Sequence, residues 1–459
     1  MSRRSGVVLL LSCLAAVPAL AWEPAALGIK PMNMGDVKGI KIGFYGFMEN
    51  DFIFDTTQSG FFEEEDNTLV AKPDTYAGSH GRNLMSIRNS RLGIDMRLPE
   101  TPSGVKTDAV FEVDFLGDQG VNTLPGQSGS GIQSENNYFN NPSLRIRHAY
   151  VDVGYKRFHA LVGQTWSLLG FQPDYFPGEV VVQPTPGQLY RRFPQIRATE
   201  DWSLSSHWDL EGAADAARPA AMDSGAPMGQ GGLRLVSTRY YGASVNNTQT
   251  APVALSAAVS GDLIPTTSYA GGAAGTTNGY AAAFDFLVPL IGAKDPHDLG
   301  NTLSWVGEGT YGAGLGGLEL VNLTFGLPQV LNGSGVCSGA PTLDPGIAGC
   351  TGSNSIDLIR AESLRTDLEY VFPDKEWTTS AGYAQVDGLN LGEFSAALSS
   401  ADQLDIAPKI QFGYADLFYE PLKWLRFAFE WNQTRDTYND ANARFAVNNR
   451  YQFTTFFVF

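Results

Sequence analysis

The sequence has little charge, little cysteine and no long apolar run beyond its N-terminus. Charged residues make up 17% of the 459 residues, where soluble chains carry about 25%. A bundle of transmembrane helices is excluded, because no later apolar stretch approaches the ~18 residues that such a helix needs. The net charge of −17 excludes a basic nucleic-acid-binding surface over the whole chain, and 12% aromatic residues exclude an acidic disordered protein.

Residues 1–21 have the features of a secretory signal peptide. Arg3 and Arg4 precede an apolar stretch, and the small residues Ala19 and Ala21 are spaced as signal peptidase requires. Cleavage after Ala21 leaves 438 residues and, because it removes two arginines and no acidic residue, changes the net charge from −17 to −19. An uncleaved anchor and lipoprotein processing near Cys13 are the alternatives.

Apolar and polar residues alternate with a period of two through the mature chain, which predicts β-strands. The pattern runs from Ile40 and again from Leu364, where the polar positions hold Arg365, Asp367 and Glu369. Each strand therefore has one apolar face and one polar face. A soluble β-sandwich also alternates, but its connections should be short at both ends.

Here the connections differ in length along the chain. Short turns, as at Tyr155-Lys156, alternate with long stretches rich in Gly, Ser and Asn, as at 56–83 and 117–142. This predicts an all-β fold, a transmembrane antiparallel up-and-down β-barrel in the outer membrane of a Gram-negative bacterium. At ~27 residues per strand and connection, residues 38–459 form about 16 strands around an aqueous lumen, with 14 or 18 as alternatives.

The C-terminal strand carries aromatic residues on one face. Tyr451, Phe453, Phe457 and the terminal Phe459 share the phase that faces lipid. By resemblance to outer-membrane barrels as a class, these residues are the signal that the barrel-assembly machinery recognises. The alternative is an ordinary hydrophobic terminal strand.

Four motifs between about Ile40 and Trp202, in this order, resemble those of the DcaP-like porins. They are Ser90-Arg91-Leu92-Gly93, Leu144-Arg145-Ile146-Arg147-His148-Ala149-Tyr150, Gly163-Gln164-Thr165-Trp166-Ser167 and Arg192-Phe193-Pro194-Gln195-Ile196-Arg197. The resemblance implies a trimeric 16-stranded porin with an inward-folded loop and a preference for small anionic solutes such as dicarboxylates. The N-terminal extension, 22–37, is too short and too rich in Gly and Pro for the helical coiled coil of some members, so a trimer would rest on the barrel walls.

Arginines are concentrated in the same third of the chain. Rings of Arg and Lys favour the passage of anions, so the polar wall residues there are the predicted pore residues. The alternative is that the arginines pair with neighbouring carboxylates and stiffen the wall, and both roles can coexist. The candidates are Arg91, Arg145, Arg147, Arg191, Arg192 and Arg197, together with the carboxylates Asp108, Glu112 and Asp114.

Two long connections receive separate predictions. Residues 167–190 contain their own aromatic and proline anchors, which predicts a constriction loop folded into the lumen, with an extracellular lid as the alternative. Residues 332–354 form a long outer loop that contains both Cys337 and Cys350. In an oxidising compartment these two cysteines are expected to form a disulfide, because the further Cys or His ligands of a metal site are missing nearby.

The predicted function is a porin for passive diffusion of small hydrophilic, anionic solutes, without an enzymatic activity, cofactor or metal. The five histidines are dispersed, and His148 lies in a strand motif. A substrate-specific channel is the first alternative, and a barrel enzyme or adhesion scaffold is the second. Outer-membrane lipid, including lipopolysaccharide, is the expected surrounding partner, with divalent ions at acidic loops such as Glu63-Glu64-Glu65 as a further possibility.

Overall fold

A computed structural model describes the barrel and part of its connections. The described residues are 32–37, 39–59, 69–117, 142–176, 178–181, 184–219, 226–237, 241, 253–265, 276–293, 295, 298–314, 325–327, 347–351, 356–395 and 398–459. The signal peptide predicted at 1–21 and the acidic loop stretch around Glu64 lie outside them. No helix in these ranges combines the length and the hydrophobicity needed to cross a membrane.

Strands dominate the described chain. In sequence order they are β1 (Met32–Val37), β2 (Ile40–Asp55), β3 (Arg82–Ser86), β4 (Arg91–Arg97), β5 (Val105–Gly117), β6 (Ser143–Tyr155), β7 (Phe158–Trp166), β8 (Arg192–Ser203), β9 (Trp208–Ala217), β10 (Met228–Ser237), β11 (Val253–Pro265), β12 (Thr276–Ile291), β13 (Thr302–Ala313), β14 (Ala348–Cys350), β15 (Ile356–Leu358), β16 (Arg360–Val371), β17 (Trp377–Gly388), β18 (Lys409–Leu422), β19 (Leu425–Thr437) and β20 (Phe445–Val458). Short helices in the connections are α1 (Tyr76–Ser79), α2 (Leu391–Ser395), α3 (Ser400–Leu404) and a 3₁₀ turn at Leu169–Phe171.

Eighteen strands form one antiparallel sheet that closes into a barrel of 16 positions. The short strands β3 and β4 pair with different parts of the same edge of β2, so together they count as one of the 16 strand positions. In the same way, β1 and β20 pair with different parts of the other edge of β2 and count as one position. The pairing of β2 with β20 closes the barrel. The prediction of an antiparallel barrel of about 16 strands is confirmed. The sheet already includes Met32–Val37, so pairing begins within the segment predicted as an extension.

The alternation of side chains separates an apolar outer surface from a polar interior. On β16, Leu364 and Leu368 are exposed on the outside, while Arg365, Asp367 and Glu369 are buried inside. The two sets alternate because successive side chains of a strand point to opposite faces of the sheet. An apolar exterior of this kind contacts lipid, which places the chain in the outer membrane of a Gram-negative bacterium.

The two rims of the barrel differ as predicted. Short turns, such as Lys156-Arg157 between β6 and β7 and Lys423-Trp424 between β18 and β19, lie on one rim. This is the periplasmic side in outer-membrane barrels. The opposite rim carries the longer connections, including the small hairpin of β14 and β15 and the segment between β7 and β8.

Candidate functional site

The segment between β7 and β8, residues 167–191, lies inside the barrel. We call it the inner loop; its described residues are 167–176, 178–181 and 184–191. Its first residues bind the inward side chains of neighbouring strands: the backbone N–H of Leu168 donates to Gln230 Oε1 at 2.8 Å, and that of Gly170 donates to Ser256 Oγ at 2.7 Å. These partners belong to β10 and β11 and face the interior, so the loop packs against the inner wall.

Further along, three glutamates of the far wall hold the inner loop by its backbone. The N–H of Leu189 donates to Glu308 Oε1 at 3.0 Å and that of Val180 donates to Glu430 Oε2 at 2.6 Å. Glu369 accepts from the N–H of Gly178. We call Glu308, Glu369 and Glu430 the docking carboxylates. They lie on β13, β16 and β19, so the inner loop reaches across the interior.

Ion pairs also fix the inner loop to the wall. Arg365 on β16 pairs with Glu179 of the loop, and Arg234 on β10 pairs with Asp174. Arg365 and Arg234 are almost completely buried. Because an uncompensated buried charge is costly, each ion pair favours the docked position of the loop.

An apolar cluster occupies the same half of the barrel towards the rim of long connections. Leu169 and Leu189 of the inner loop pack with residues of other connections, including Phe325, Phe394 and Ile406. All five are buried. The cluster continues on the inward side chains of β8 to β12 and β16 to β18. None of the residues of this apolar cluster belongs to β4 to β7. The charged side chains of that wall therefore lie outside the cluster.

On that wall, arginines surround two carboxylates. Arg147 Nε donates to Glu112 Oε1 at 2.8 Å and Arg147 Nη1 to Asp114 Oδ2 at 2.9 Å. Arg145 binds both oxygens of Asp114, at 3.0 and 2.8 Å. Arg91 Nε lies 3.5 Å from Glu112 Oε1. The predicted pairing of arginines with neighbouring carboxylates is thus present in this geometry.

Arg192 joins this group through aromatic side chains. Its guanidinium lies over the Trp166 ring, 4.3 Å from the centroid, and Nη1 donates to the Tyr190 hydroxyl at 3.2 Å. Arg147 Nη1 is 3.5 Å from the same hydroxyl. We call Arg91, Arg145, Arg147 and Arg192 the arginine cluster. It holds four guanidinium groups against two carboxylates, Glu112 and Asp114.

The members of the cluster differ in access to the lumen. Arg147 is 2% exposed and Arg91 is 8% exposed, whereas Arg145 and Arg192 are only partly buried. Asp114 and Glu112 are buried beneath them. Arg91 and Arg147 therefore serve mainly to balance these carboxylates, while Arg145 and Arg192 keep part of their surface exposed.

A β-bulge shapes the cluster. The pairing register between β5 and β6 shifts so that Glu112 pairs with His148 and Val113 with Ile146. Arg147 is the extra residue, and both Arg147 and His148 are buried on the inside. A bulge changes the direction in which side chains point, and here it lets two consecutive residues face the interior. His148 Nδ1 lies 3.0 Å from Thr165 Oγ1, and its Nε2 is 3.9 Å from Glu112, beyond hydrogen-bonding distance.

Tyr190 has an unusual ionisation because of its neighbours. Burial by itself raises the pKa of the Tyr190 phenol, but Arg192 and Arg147, followed by Arg145 and Arg91, stabilise the phenolate and bring the pKa to about 7. Tyr190 and Trp166 are not among the residues predicted to line the pore. Trp166 stands in the motif Gly163-Gln164-Thr165-Trp166-Ser167, and Tyr190 is one of the aromatic residues of the predicted constriction loop.

Three predicted pore residues lie outside the arginine cluster. Arg191 closes the neck of the inner loop, since its N–H donates to Gln172 Oε1 at 2.8 Å and its carbonyl accepts from Ser167 at 2.9 Å. Arg197 donates to the Trp166 carbonyl at 2.6 Å and lies 3.6 Å from Asp215. Asp108 lies towards the periplasmic end of β5, opposite Asp152 in the register. Four residues of strand separate Asp108 from Glu112, so Asp108 lies outside the arginine cluster, and its role as a pore residue stays a prediction.

The aromatic residues at the C-terminus lie where the strand phase predicts. Tyr451, Phe453 and Phe457 are each more than 40% exposed on the outer surface. Phe459 exchanges two backbone hydrogen bonds of 3.0 Å with Gly46, and its ring stacks on Phe44. The C-terminus is thus held against the first long strand of the barrel. Its role as an assembly signal stays a prediction.

The predicted disulfide lies outside the described residues. Cys337 is not among them, and of Cys350 only the backbone is described, in β14. Within the described ranges, no group of three or more His, Cys, Asp or Glu side chains could hold a metal ion.

A closed 16-position barrel with an apolar exterior, a charged interior and a segment folded across the lumen is the architecture of the outer-membrane porins. Comparisons with family models and with curated protein sequences find no match. Among solved structures, the outer membrane channel DcaP of Acinetobacter baumannii is similar, with a TM-score of 0.60, 16% identity and coverage of 93% of this chain and 100% of that one. The anion-selective porin from Comamonas acidovorans has a TM-score of 0.51 and 8% identity, covering 92% of this chain and 100% of that one. The resemblance to DcaP-like porins inferred from sequence motifs is confirmed at the level of the fold.

Proposed function

We propose that this chain is a porin for passive diffusion of small hydrophilic solutes and that it prefers anions, in particular those with two carboxylates. The observation that carries the proposal is the excess of guanidinium groups in the arginine cluster. Arg145 and Arg192 are partly accessible, and a guanidinium can bind a carboxylate through two parallel hydrogen bonds. Two such groups on one wall suit a dicarboxylate. The similar porin from Comamonas acidovorans is described as anion-selective.

The inner loop supports this proposal as the constriction. It is bound to the part of the wall that carries the docking carboxylates, and we infer that the passage runs beside the arginine cluster. A solute that passes would meet Arg145 and Arg192 at short range. Because salt at physiological strength screens charges over ~8 Å, local residues outweigh the acidic residues of distant loops.

Planar-bilayer recording tests the selectivity. In a salt gradient, the wild-type protein should give a zero-current potential of the sign for anions, because the arginine cluster has more positive than negative groups. The double variant Arg145→Ser, Arg192→Ser should flatten or reverse that potential. A matched control is Arg435→Ser, since Arg435 has the outward phase of β19 and lies over the Phe445 ring. Cation selectivity of the wild type, or a double variant indistinguishable from it, would contradict the proposal.

The same recordings address the alternatives. Saturating block of the current by one solute class identifies a substrate-specific channel, whereas a current that falls only in proportion to solute size identifies a general pore. Absence of enzymatic activity is part of the proposal. Hydrolysis of detergent-solubilised lipid by the wild type, lost on His148→Gln, would replace it with a barrel enzyme.

Assembly and lipid surroundings complete the proposal. We infer a homotrimer that contacts outer-membrane lipid and lipopolysaccharide through its apolar exterior, with Tyr451, Phe453, Phe457 and Phe459 recognised by the barrel-assembly machinery. The support is the resemblance to trimeric porins and the outward position of these aromatic residues. Conductance that appears in steps of three is the expected sign of the trimer.

A further inference from the structure

A cavity lies beneath the inner loop, on the periplasmic side of the arginine cluster. Its volume is about 90 Å³, and it is open to solvent on one side. Its lining comes from inward side chains of β5 to β10 and from the first part of the inner loop. The cavity is therefore part of the lumen, and a solute that leaves the arginine cluster towards the periplasm would reach it next.

The periplasmic end of the cavity has an excess of carboxylates. Asp152 lies 2.9 Å from the imidazole of His159, and Asp201 lines the same end two residues before β8 stops. Glu211 and Asp174 share one guanidinium, that of Arg234. Even with His159 protonated, the four carboxylates outnumber the cations among these residues. This end attracts a positive group.

At the opposite end of the cavity two guanidinium groups, of Arg197 and Arg192, lie against one carboxylate, Asp215, which is 3.6 Å from Arg197. Arg197 extends along β8 so that its guanidinium donates to the Trp166 carbonyl at 2.6 Å. The Trp166 side chain lines the cavity and carries the Arg192 guanidinium over its ring. Four residues separate Arg197 from Asp201, which is about 14 Å along a strand between their backbones. The long arginine side chain is directed towards the inner loop, so the charges lie at opposite ends.

Between the two charged ends the lining is largely apolar. Tyr150 and Leu161 contribute from the wall, and Leu168 and Phe171 contribute from the inner loop. All four are buried. A site with polar groups at defined places and an apolar body fixes both the orientation and the length of a bound solute.

We propose that this cavity is a binding site for amphoteric solutes, which carry a carboxylate at one end, an ammonium at the other and an apolar chain between. The carboxylate binds at the Arg197 and Trp166 end, and the ammonium binds between Asp152 and Asp201. The inference rests on the proposed porin function for access to the site, and it extends the solute class from anions to elongated zwitterions. A solute with two carboxylates meets repulsion at the Asp201 end.

Three probes of equal chain length test the site: 6-aminohexanoate, adipate and hexanoate. Each is titrated calorimetrically into detergent-purified wild-type protein and, in parallel, added to single channels to measure current block. We expect 6-aminohexanoate to bind about threefold to tenfold more tightly than hexanoate, because a charge-assisted hydrogen bond to a partly exposed carboxylate contributes modestly. Asp201→Asn should remove that advantage and leave hexanoate unchanged.

The matched control is Glu100→Gln, which removes one exposed carboxylate from the turn between β4 and β5 on the same rim, outside the cavity lining. It should leave all three affinities unchanged. Equal affinities of 6-aminohexanoate and hexanoate for the wild type would overturn the inference, as would an Asp201→Asn variant that keeps the preference. Because calorimetry does not depend on conduction, loss of anion selectivity in the recordings would refute the proposed function separately.

Discussion

The two halves of the lumen wall place their charged groups in different ways. On β13, β16 and β19, the docking carboxylates Glu308, Glu369 and Glu430 are engaged by backbone N–H groups of the inner loop. In the arginine cluster, on β4, β6 and β8, four guanidinium groups lie against two carboxylates, Glu112 and Asp114, and Arg145 and Arg192 remain partly exposed. The docking carboxylates are engaged by the inner loop, while the arginine cluster keeps a positive excess and partly exposed groups.

Under the proposed function, this difference is what would give a strongly acidic chain an anion-preferring passage. The sequence carries a net charge of −17, yet the docking carboxylates are buried against the inner loop. Arg450 pairs with Asp55 on the same side, so its guanidinium is also engaged. Selectivity depends on the charges that a solute meets, and these are the ones next to the passage.

The largest expected effect comes from releasing the inner loop. Replacing all three docking carboxylates, Glu308→Ala, Glu369→Ala and Glu430→Ala, leaves backbone N–H groups of the loop without acceptors, at a cost of about 1–3 kcal/mol each. The loop should then leave the lumen for part of the time. Single-channel conductance should rise at least about twofold, and anion preference should weaken because solutes pass farther from the arginine cluster.

The control for this variant is Glu362→Ala, which removes an exposed outward carboxylate of β16. Its conductance should equal that of the wild type. Heat-modifiable migration on gels establishes that the triple variant is folded. A folded triple variant with wild-type conductance would show that the docking carboxylates do not hold the constriction, and the contrast between the two halves would lose its basis.

How much of this arrangement is visible in the sequence depends on the element. Period-two alternation correctly predicts that Arg365, Asp367 and Glu369 share the inner face, because a regular strand leaves no other choice. Alternation fails at Arg147 and His148, since a bulge is set by the register with the partner strand β5. No local pattern in β6 records that register.

The contacts of the inner loop were not predictable for a related reason. The segment 167–190 was predicted to fold inwards from its aromatic and proline residues, but its partners are far away in sequence. Glu430 and Val180, for example, are 250 residues apart. Tyr190 becomes a site residue only because the fold brings it next to arginines of β6 and β8.

An intermediate effect is expected from changing the balance inside the arginine cluster. Asp114→Asn removes the carboxylate that binds Arg145 and Arg147, so it frees positive charge at the lumen. Anion preference should increase. The barrel should also become less stable, by about 3–5 kcal/mol, because breaking a buried ion pair leaves its partner uncompensated.

Asp108→Asn is the matched control for Asp114→Asn, since Asp108 lies on the same strand outside the arginine cluster. Selectivity is measured by the zero-current potential and stability by the temperature at which the folded band disappears on gels. An Asp114→Asn variant with lower anion preference than the wild type would mean that the freed arginines turn away from the passage.

The smallest effect is a dependence of selectivity on pH through Tyr190. Burial raises the pKa of this phenol, and the facing guanidinium groups of Arg192, Arg147, Arg145 and Arg91 lower it to about 7. Below that pH the phenol is neutral and the cluster keeps its full positive excess; above it the phenolate cancels one positive charge. Anion preference should therefore fall between about pH 6 and pH 8.

Tyr190→Phe separates this effect from other titrations near the cluster. The variant cannot form a phenolate, so it should keep the acid-side zero-current potential throughout the range. Glu112 and Asp114 on β5 also face the cluster, but they remain in the variant and contribute equally to both proteins. His148→Gln, which can retain a hydrogen bond to Thr165, should keep the pH dependence. If Tyr190→Phe shows the same slope as the wild type, the titrating group is not Tyr190, and a slope lost in His148→Gln would assign it to that histidine instead.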